Sequence, residues 1–237
     1  MPYQSQAQQL ADLLGLASPP VALAFVEVQP ASVDRTTRHV PSACTFWRQA
    51  EQGVFYAEAP EHAECPIGVL TMGFELTEAQ QPGATQLIQS MCNLHYLSID
   101  EVAALPKVTK PHQGIVYGPL ADMPVPPDAV LLIVNAYQAM LVAEAADALQ
   151  LGNTAGQVSF GRPACSVIPR ALASGQVMQS LGCIGARTYV GLDPQESVVV
   201  VPGARLDALV DRLVTIVAAN RTLAEFHANR KREVLGV

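Results

Sequence analysis

The amino-acid sequence predicts a mixed α/β (α+β) domain in which helices flank a central mixed sheet. Patterns typical of helices and of strands interleave along the whole chain, as they do in such architectures. The composition, 50% hydrophobic and 15% charged, is that of a chain that folds around a large core. A length of 237 residues fits one domain and no change of composition marks a linker, so a single domain over residues 1–237 is expected.

Six segments carry the sequence pattern of a helix. In the first, Leu10, Leu13 and Leu14 fall on one face. In the fifth, Pro163 stands at the start, and Pro169 is expected to kink or end the helix because proline lacks a backbone N–H. The predicted helices span residues 1–16, 42–52, 85–96, 136–149, 163–173 and 204–227, and residues 152–156 are predicted to form a loop.

Five shorter segments have the aliphatic, β-branched character of strands. The pair Pro19 and Pro20 fixes where the first of them begins. The predicted strands span residues 21–28, 54–58, 115–117, 130–134 and 197–201. All of these except 54–58 are so rich in aliphatic residues that we expect them to form the centre of the sheet, covered on both faces.

Charge and hydropathy exclude two classes of partner. The chain has 14 basic and 21 acidic residues, a net charge of −7, and between Arg48 and Arg162 its only basic residues are Lys107 and Lys110. Such a surface repels phosphate backbones, so nucleic acid is not expected as a partner. The longest aliphatic run, residues 129–134, is too short to span a membrane, and residues 1–16 lack a basic leader, so a cytoplasmic location with no membrane partner is expected.

The chemistry-bearing residues of this sequence are its cysteines, because it contains no phosphate-binding loop, dinucleotide fingerprint, zinc-protease motif or nucleophile elbow. Five cysteines at irregular spacing indicate free thiols or metal ligands in a reducing compartment. Four stand in distinctive settings: SACTFW around Cys44, HAECPIG around Cys65, GRPAC ending at Cys165, and GCIGAR beginning before Cys183.

Several neighbours of these cysteines favour the thiolate form, which is the form that binds metal or attacks electrophiles. Arg162 precedes Cys165 by three residues and Arg187 follows Cys183 by four, in a chain with few basic residues. Cys65 comes directly before a proline, as at the start of a helix. His62, three residues before Cys65, is a candidate ligand or base.

Each candidate also has a structural alternative. Cys92 lies within an apolar helical pattern and is predicted only to pack, and Cys44 is either a fourth ligand or a core residue. His62 is either functional or simply exposed, and Arg187 either faces the site or pairs with Asp193 on the surface. No two cysteines have C-x-x-C spacing, so a zinc ribbon is disfavoured and any metal site must be assembled from distant segments.

The last three of these motifs, around Cys65, Cys165 and Cys183, together with Ala219-Asn220, Leu223 and His227, resemble the domain of unknown function 169 family, and the resemblance spans residues 13–230. It implies one mixed α/β domain of bacterial and archaeal cytoplasmic proteins and supplies no reaction. It also implies that Cys44, Cys65, Cys165 and Cys183 belong to the family pattern, whereas Cys92 does not.

Three functions remain open from the sequence. The first is a metal or metal–sulfur binding protein, with an iron–sulfur cluster favoured, copper or zinc as alternatives, and redox activity as an option. Its ligands would be Cys44, Cys65, Cys165 and Cys183, supported by Arg162, Arg187 and His62. The second is a thiol-dependent enzyme with Cys65, Cys165 or Cys183 as nucleophile. The third is a module that binds a small molecule or tetrapyrrole; a homo-oligomer is compatible with all three.

Overall fold

A seven-stranded sheet organises the part of the protein that the structure describes. The computed structural model describes residues 3–38, 40–146, 158–159 and 162–236, and of residues 158–159 only the backbone. The strands are β1 (Val21–Val26), β2 (Phe55–Glu58), β3 (Gly114–Pro119), β4 (Ala129–Val134), β5 (Val158–Ser159), β6 (Met178–Ser180) and β7 (Ser197–Pro202). Neighbouring strands are antiparallel except for β5 and β6, which are parallel, and the order across the sheet is β2-β3-β1-β4-β7-β6-β5.

The four aliphatic strands predicted for the centre, now β3, β1, β4 and β7, are adjacent in the sheet, which confirms that prediction. Both faces of the sheet are covered. In β7, Val198 and Val200 pack into the core on one face, while Val199 and Val201 pack into the core on the other. Because side chains alternate along a strand, a run of four valines is what a strand buried on both sides requires.

Nine α-helices lie within the described part of the chain, and the predicted mixed α+β class is confirmed. On one face of the sheet, the core is filled by leucines such as Leu10, Leu141 and Leu213 from three of the helices, α1, α6 and α9. The helices are α1 (Gln4–Leu14), α2 (Thr45–Ala50), α3 (Pro66–Thr71), α4 (Gln81–Asn93), α5 (Ile99–Ala103), α6 (Ala136–Ala145), α7 (Val167–Ser174), α8 (Ile184–Val190) and α9 (Leu206–Leu235). None of the described helices is long and apolar enough to cross a membrane.

The other face of the sheet carries the short helices α2, α3, α7 and α8. Phe46 and Trp47 of α2, Ile168 of α7 and Val190 of α8 pack into this core. These helices begin near cysteines, so this face positions the candidate site.

The helix boundaries differ from the prediction in ways that have local causes. Pro169 lies inside α7 without ending it, because it is the third residue of the helix, where the missing N–H has no intrahelical partner to lose. The short helices α5 and α8 and the strands β5 and β6 were not predicted. The loop predicted for residues 152–156 and the last part of the helix predicted for 136–149 lie outside the described residues.

Candidate functional site

A cavity of about 490 Å³ opens on the face of the sheet that carries α2, α3, α7 and α8. Cys44, Cys65, Cys165 and Cys183 all line it, although 139 positions separate the first from the last. The fifth cysteine, Cys92 on α4, does not line this cavity and is half-buried. The structure therefore brings together the four cysteines that the sequence motifs single out.

Each of these cysteines stands where a helix begins. Cys44, Cys65 and Cys183 directly precede α2, α3 and α8, and Cys165 lies in the 3-10 turn that leads into α7. The Cys65 sulfur accepts a hydrogen bond from the Gly68 N–H at 3.3 Å, and the Cys183 sulfur accepts one from the Ala186 N–H at 3.4 Å. Helix starts leave backbone N–H groups without intrahelical partners, so they stabilise negative charge on these sulfurs.

Two of the thiols are buried. Burial raises the pKa of Cys44 to about 12, although a hydrogen bond with Ser42, whose Oγ lies 2.8 Å from Sγ, opposes the rise. Burial likewise raises the pKa of Cys165 well above its usual value, and negative charge on Cys65 would add to the rise. Cys44 interacts electrostatically with Cys65 and Cys183 as well, which means that the four sulfurs share one electrostatic environment.

Gly68 brings α3 close to the start of α2. A Cβ atom at this glycine would lie 2.5 Å from the Ala43 Cβ and 3.0 Å from the Cys65 sulfur. At Gly185, the second residue of α8, an added Cβ would come no closer than 3.8 Å to the Cys183 sulfur. Each of these glycines follows a cysteine that begins a helix. Close contact excludes a larger residue only at Gly68.

We expect Gly68→Ala to lower the free energy of unfolding by about 1–3 kcal/mol, the usual cost of forcing extra volume into a packed contact. The matched substitution Gly185→Ala should leave stability unchanged or raise it by up to about 1 kcal/mol, because alanine favours a helix. Denaturant unfolding of both variants measures the difference. Equal stability of the two would show that the contact between α2 and α3 is not as close as described.

Arg162 lies at the rim of the cavity. Its guanidinium carbon is 4.6 Å from the centre of the Tyr96 ring, and Nη2 is 3.7 Å from Oε1 of Glu101. Both partners belong to the segment around α4 and α5, so Arg162 connects that segment to the start of α7. The ion pair with Glu101 is exposed and long, so it contributes little energy. The stack on Tyr96 stabilises the position of Arg162 more.

Arg187 does not line the cavity. Its guanidinium donates hydrogen bonds to the backbone carbonyl oxygens of Leu181 at 2.7 Å, Asp193 at 2.6 Å and Glu196 at 3.3 Å. Arg187 does contact Asp193, as the alternative proposed, but through the backbone carbonyl oxygen of Asp193 and not through its carboxylate. Arg187 thus holds together the loops on either side of α8.

His62 is fully buried and lies outside the cavity lining. Its Nδ1 is 2.6 Å from the Glu58 carbonyl oxygen and its Nε2 is 2.9 Å from the Tyr117 hydroxyl. Because a carbonyl only accepts, Nδ1 carries the proton and Nε2 accepts from Tyr117. Burial lowers the pKa of His62 from 6.5 to about 4, so the ring is neutral at physiological pH.

The wall of the cavity that the sequence did not reveal comes from α4, α5 and the residues next to them. Only Ala84 of α4 is buried, and no residue of α5 is. The sequence does contain one local signal for this region. Ser98 and Glu101 form a capping box that starts α5. The side chains that line the cavity here are mostly apolar: Leu87, Met91, Tyr96, Leu97, Val102 and Leu105.

The described side chains include no group of three His, Cys, Asp or Glu residues placed to hold a single metal ion. The four thiols thus share a cavity without forming a ready tetrahedral site for one ion. All five cysteines are free, so no disulfide occupies the site.

Comparison with known proteins adds the family. The sequence model of DUF169, described as "Uncharacterised ArCR", matches residues 9–212, which include every segment that lines the cavity. The chain belongs to the DUF169 family. A relative of this DUF169 protein, the "Uncharacterized protein MJ0308" of Methanocaldococcus jannaschii, is 24% identical over 221 residues, 89% of this chain and 93% of the relative. No solved structure matches the chain significantly.

Proposed function

We propose that this DUF169 protein binds a metal–sulfur cluster, preferentially an iron–sulfur cluster, through the thiolates of Cys44, Cys65, Cys165 and Cys183. One observation carries the proposal: four cysteines from four separate segments line one cavity, while the fifth does not. Soft thiolate donors are the ligands that iron–sulfur clusters prefer. All five cysteines are free, as is usual in the reducing cytoplasm, where we propose that the protein acts.

A single zinc or copper ion is the less favoured occupant in this proposal. A tetrahedral zinc ion needs all its sulfur ligands about 2.3 Å from one point. No described group of three ligand side chains is placed in that way. In a cluster the cysteines bind different metal atoms, so their sulfurs lie further apart than the ligands of one ion.

The residues around the sulfurs have separate tasks in this proposal. The backbone N–H groups of Gly68 and Ala186 donate to the sulfurs of Cys65 and Cys183, which stabilises negative charge and orients both side chains. Cys44 and Cys165 hold protons at neutral pH, because burial raises the pKa of each, and coordination must displace those protons. Arg162, the cation among the described lining residues, offsets part of the charge of four thiolates in this proposal. When bound, the cluster would supply one-electron redox chemistry.

Anaerobic reconstitution of the reduced protein with ferrous iron and sulfide tests the proposal. We expect the visible charge-transfer absorption of an iron–sulfur cluster and quenching of Trp47, the sole tryptophan, which lies in α2 three residues after Cys44. Loading should be more complete at pH 8 than at pH 6, because the buried thiols must lose their protons. Zinc and copper(I) added separately show whether another soft metal binds instead. Failure of all three additions to produce a stoichiometric complex would refute the proposal.

A thiol-dependent enzyme is the second candidate function. Its supporting observation is that Cys65 and Cys183 are half-exposed in a cavity large enough for an organic substrate. The position of His62 does not favour it as the base, because His62 is bonded to Glu58 and Tyr117 away from the cavity. The enzyme function is favoured over metal binding if no metal binds and if iodoacetamide alkylates Cys65 or Cys183 faster than it alkylates the half-buried Cys92.

A further inference from the structure

The cavity is larger and more apolar than a set of metal ligands requires. Its volume of about 490 Å³ falls within the range of roughly 300–1,000 Å³ that is usual for pockets that bind organic molecules. The four cysteines make up only part of its lining. Side chains from α4, α5 and the residues next to these helices add aliphatic and aromatic surface, including Leu87, Met91 and Val102.

Apolar side chains at the mouth of the cavity are exposed to solvent. Ile184, Tyr189 and Leu87 line the cavity, yet they are 67%, 48% and 41% exposed. Large apolar side chains that are exposed together around a concave site mark a surface that a ligand covers. A buried metal centre alone leaves these three residues unexplained.

The charged side chains of the cavity disfavour an anionic occupant. The charged side chains among the described lining residues are Glu64, Glu101 and Arg162, two carboxylates against one guanidinium. Arg162 already lies 3.7 Å from Glu101 and stacks on Tyr96. The described lining therefore carries more acidic than basic side chains, which disfavours an anionic ligand.

We propose that the cavity binds a neutral, largely apolar organic molecule in contact with the apolar side chains of α4, α5 and the residues next to them. The molecule would be the substrate or effector of the cysteine centre, and in that respect the inference rests on the proposed function. Its binding surface, however, consists of side chains that are not metal ligands, so binding is measurable on metal-free protein.

The test uses metal-free, reduced protein and the neutral fluorescent probe phenylnaphthylamine, whose emission rises in apolar surroundings. We expect saturable binding of one probe per chain. Met91→Glu and Leu87→Glu each place a carboxylate on the apolar wall and should raise the Kd at least about tenfold, since desolvating a charge costs more than the 1.4 kcal/mol that a factor of ten represents. The anionic probe anilinonaphthalene sulfonate should bind more weakly than the neutral one.

Leu94→Glu is the matched control. Leu94 directly follows α4, is 77% exposed and does not line the cavity, so this variant should bind the probe within about twofold of the wild type. Circular dichroism confirms that all three variants are folded, which is expected because Leu87 and Leu94 are exposed and Met91 is only partly buried.

Three results would overturn the inference: no saturable binding by the wild type, equal weakening by Leu94→Glu and Met91→Glu, or tighter binding of the sulfonate than of the neutral probe. Reconstitution with iron and sulfide is run on the same protein. Iron loading without probe binding removes only this inference, whereas probe binding without iron loading removes only the proposed metal centre.

Discussion

Serine in place of Cys65 or Cys183 should remove the metal centre while leaving the fold intact. Both cysteines occupy the N-cap position of a helix, and their sulfurs accept backbone N–H hydrogen bonds. Serine is among the preferred residues at that position, so the free energy of unfolding should change by no more than about 1 kcal/mol. Serine is a poor ligand for iron, so each substitution should lower the iron content of reconstituted protein at least about fivefold.

Cys92→Ser is the control for these substitutions. Cys92 lies on α4 outside the cavity lining, and its replacement should leave the iron content at the wild-type level. Cys165→Ser should also abolish loading, but it buries a hydroxyl in place of a thiol and is expected to cost about 1–3 kcal/mol of stability. Full iron content in Cys65→Ser, or equal loss in Cys92→Ser, would show that the cysteines of the cavity are not the ligands.

The free energy of unfolding should fall by about 3 kcal/mol as the pH decreases from 6.5 to 4, through His62 alone. Burial lowers the pKa of His62 from 6.5 to about 4, a difference worth about 1.4 kcal/mol per pH unit. The unfolded chain therefore binds a proton in this range that the folded chain does not bind. The contribution of neutral His62 is fully present above pH 6.5 and is lost as the pH falls towards 4.

Urea unfolding of wild type and His62→Gln at several pH values between 4 and 7 isolates this contribution. The variant should be less stable at pH 7, because His62 packs between Phe46 and Phe74 at ring distances of 4.9 and 5.0 Å, and its pH dependence should be flatter. His227→Gln on the exposed part of α9 is the control and should keep the wild-type slope. Parallel curves for wild type and His62→Gln would contradict the assignment of a buried, neutral histidine.

The central strands could be predicted from the sequence because their signal is local. A run such as residues 197–201 has valine on both faces, and so short a run of β-branched residues is typical of a strand buried on both sides. The short helices α3, α5 and α8 carry five to seven residues each, which is too few for a hydrophobic period to be visible. Cys65 followed by Pro66 nevertheless marked the start of α3 correctly.

Part of the cavity lining could be predicted from the sequence. The settings of Cys44, Cys65, Cys165 and Cys183 differ locally from that of Cys92, and the structure brings those four together. The environment of His62 could not be predicted from the sequence, because its burial results from packing against Phe46, Phe74 and Tyr117, which come from three other segments. Arg187 was equally ambiguous, since its partners are backbone carbonyls whose directions depend on the fold.

The metal content of the protein purified without oxygen decides whether four cysteines of one cavity hold a metal–sulfur centre. Iron and acid-labile sulfide are counted per chain in the wild type and in Cys183→Ser, with Cys92→Ser purified in parallel. We expect iron and sulfide in near-equal, stoichiometric amounts in the wild type and in Cys92→Ser, and their loss in Cys183→Ser. Wild-type protein that contains neither iron nor sulfide, or that keeps both in Cys183→Ser, would contradict the proposed metal–sulfur centre.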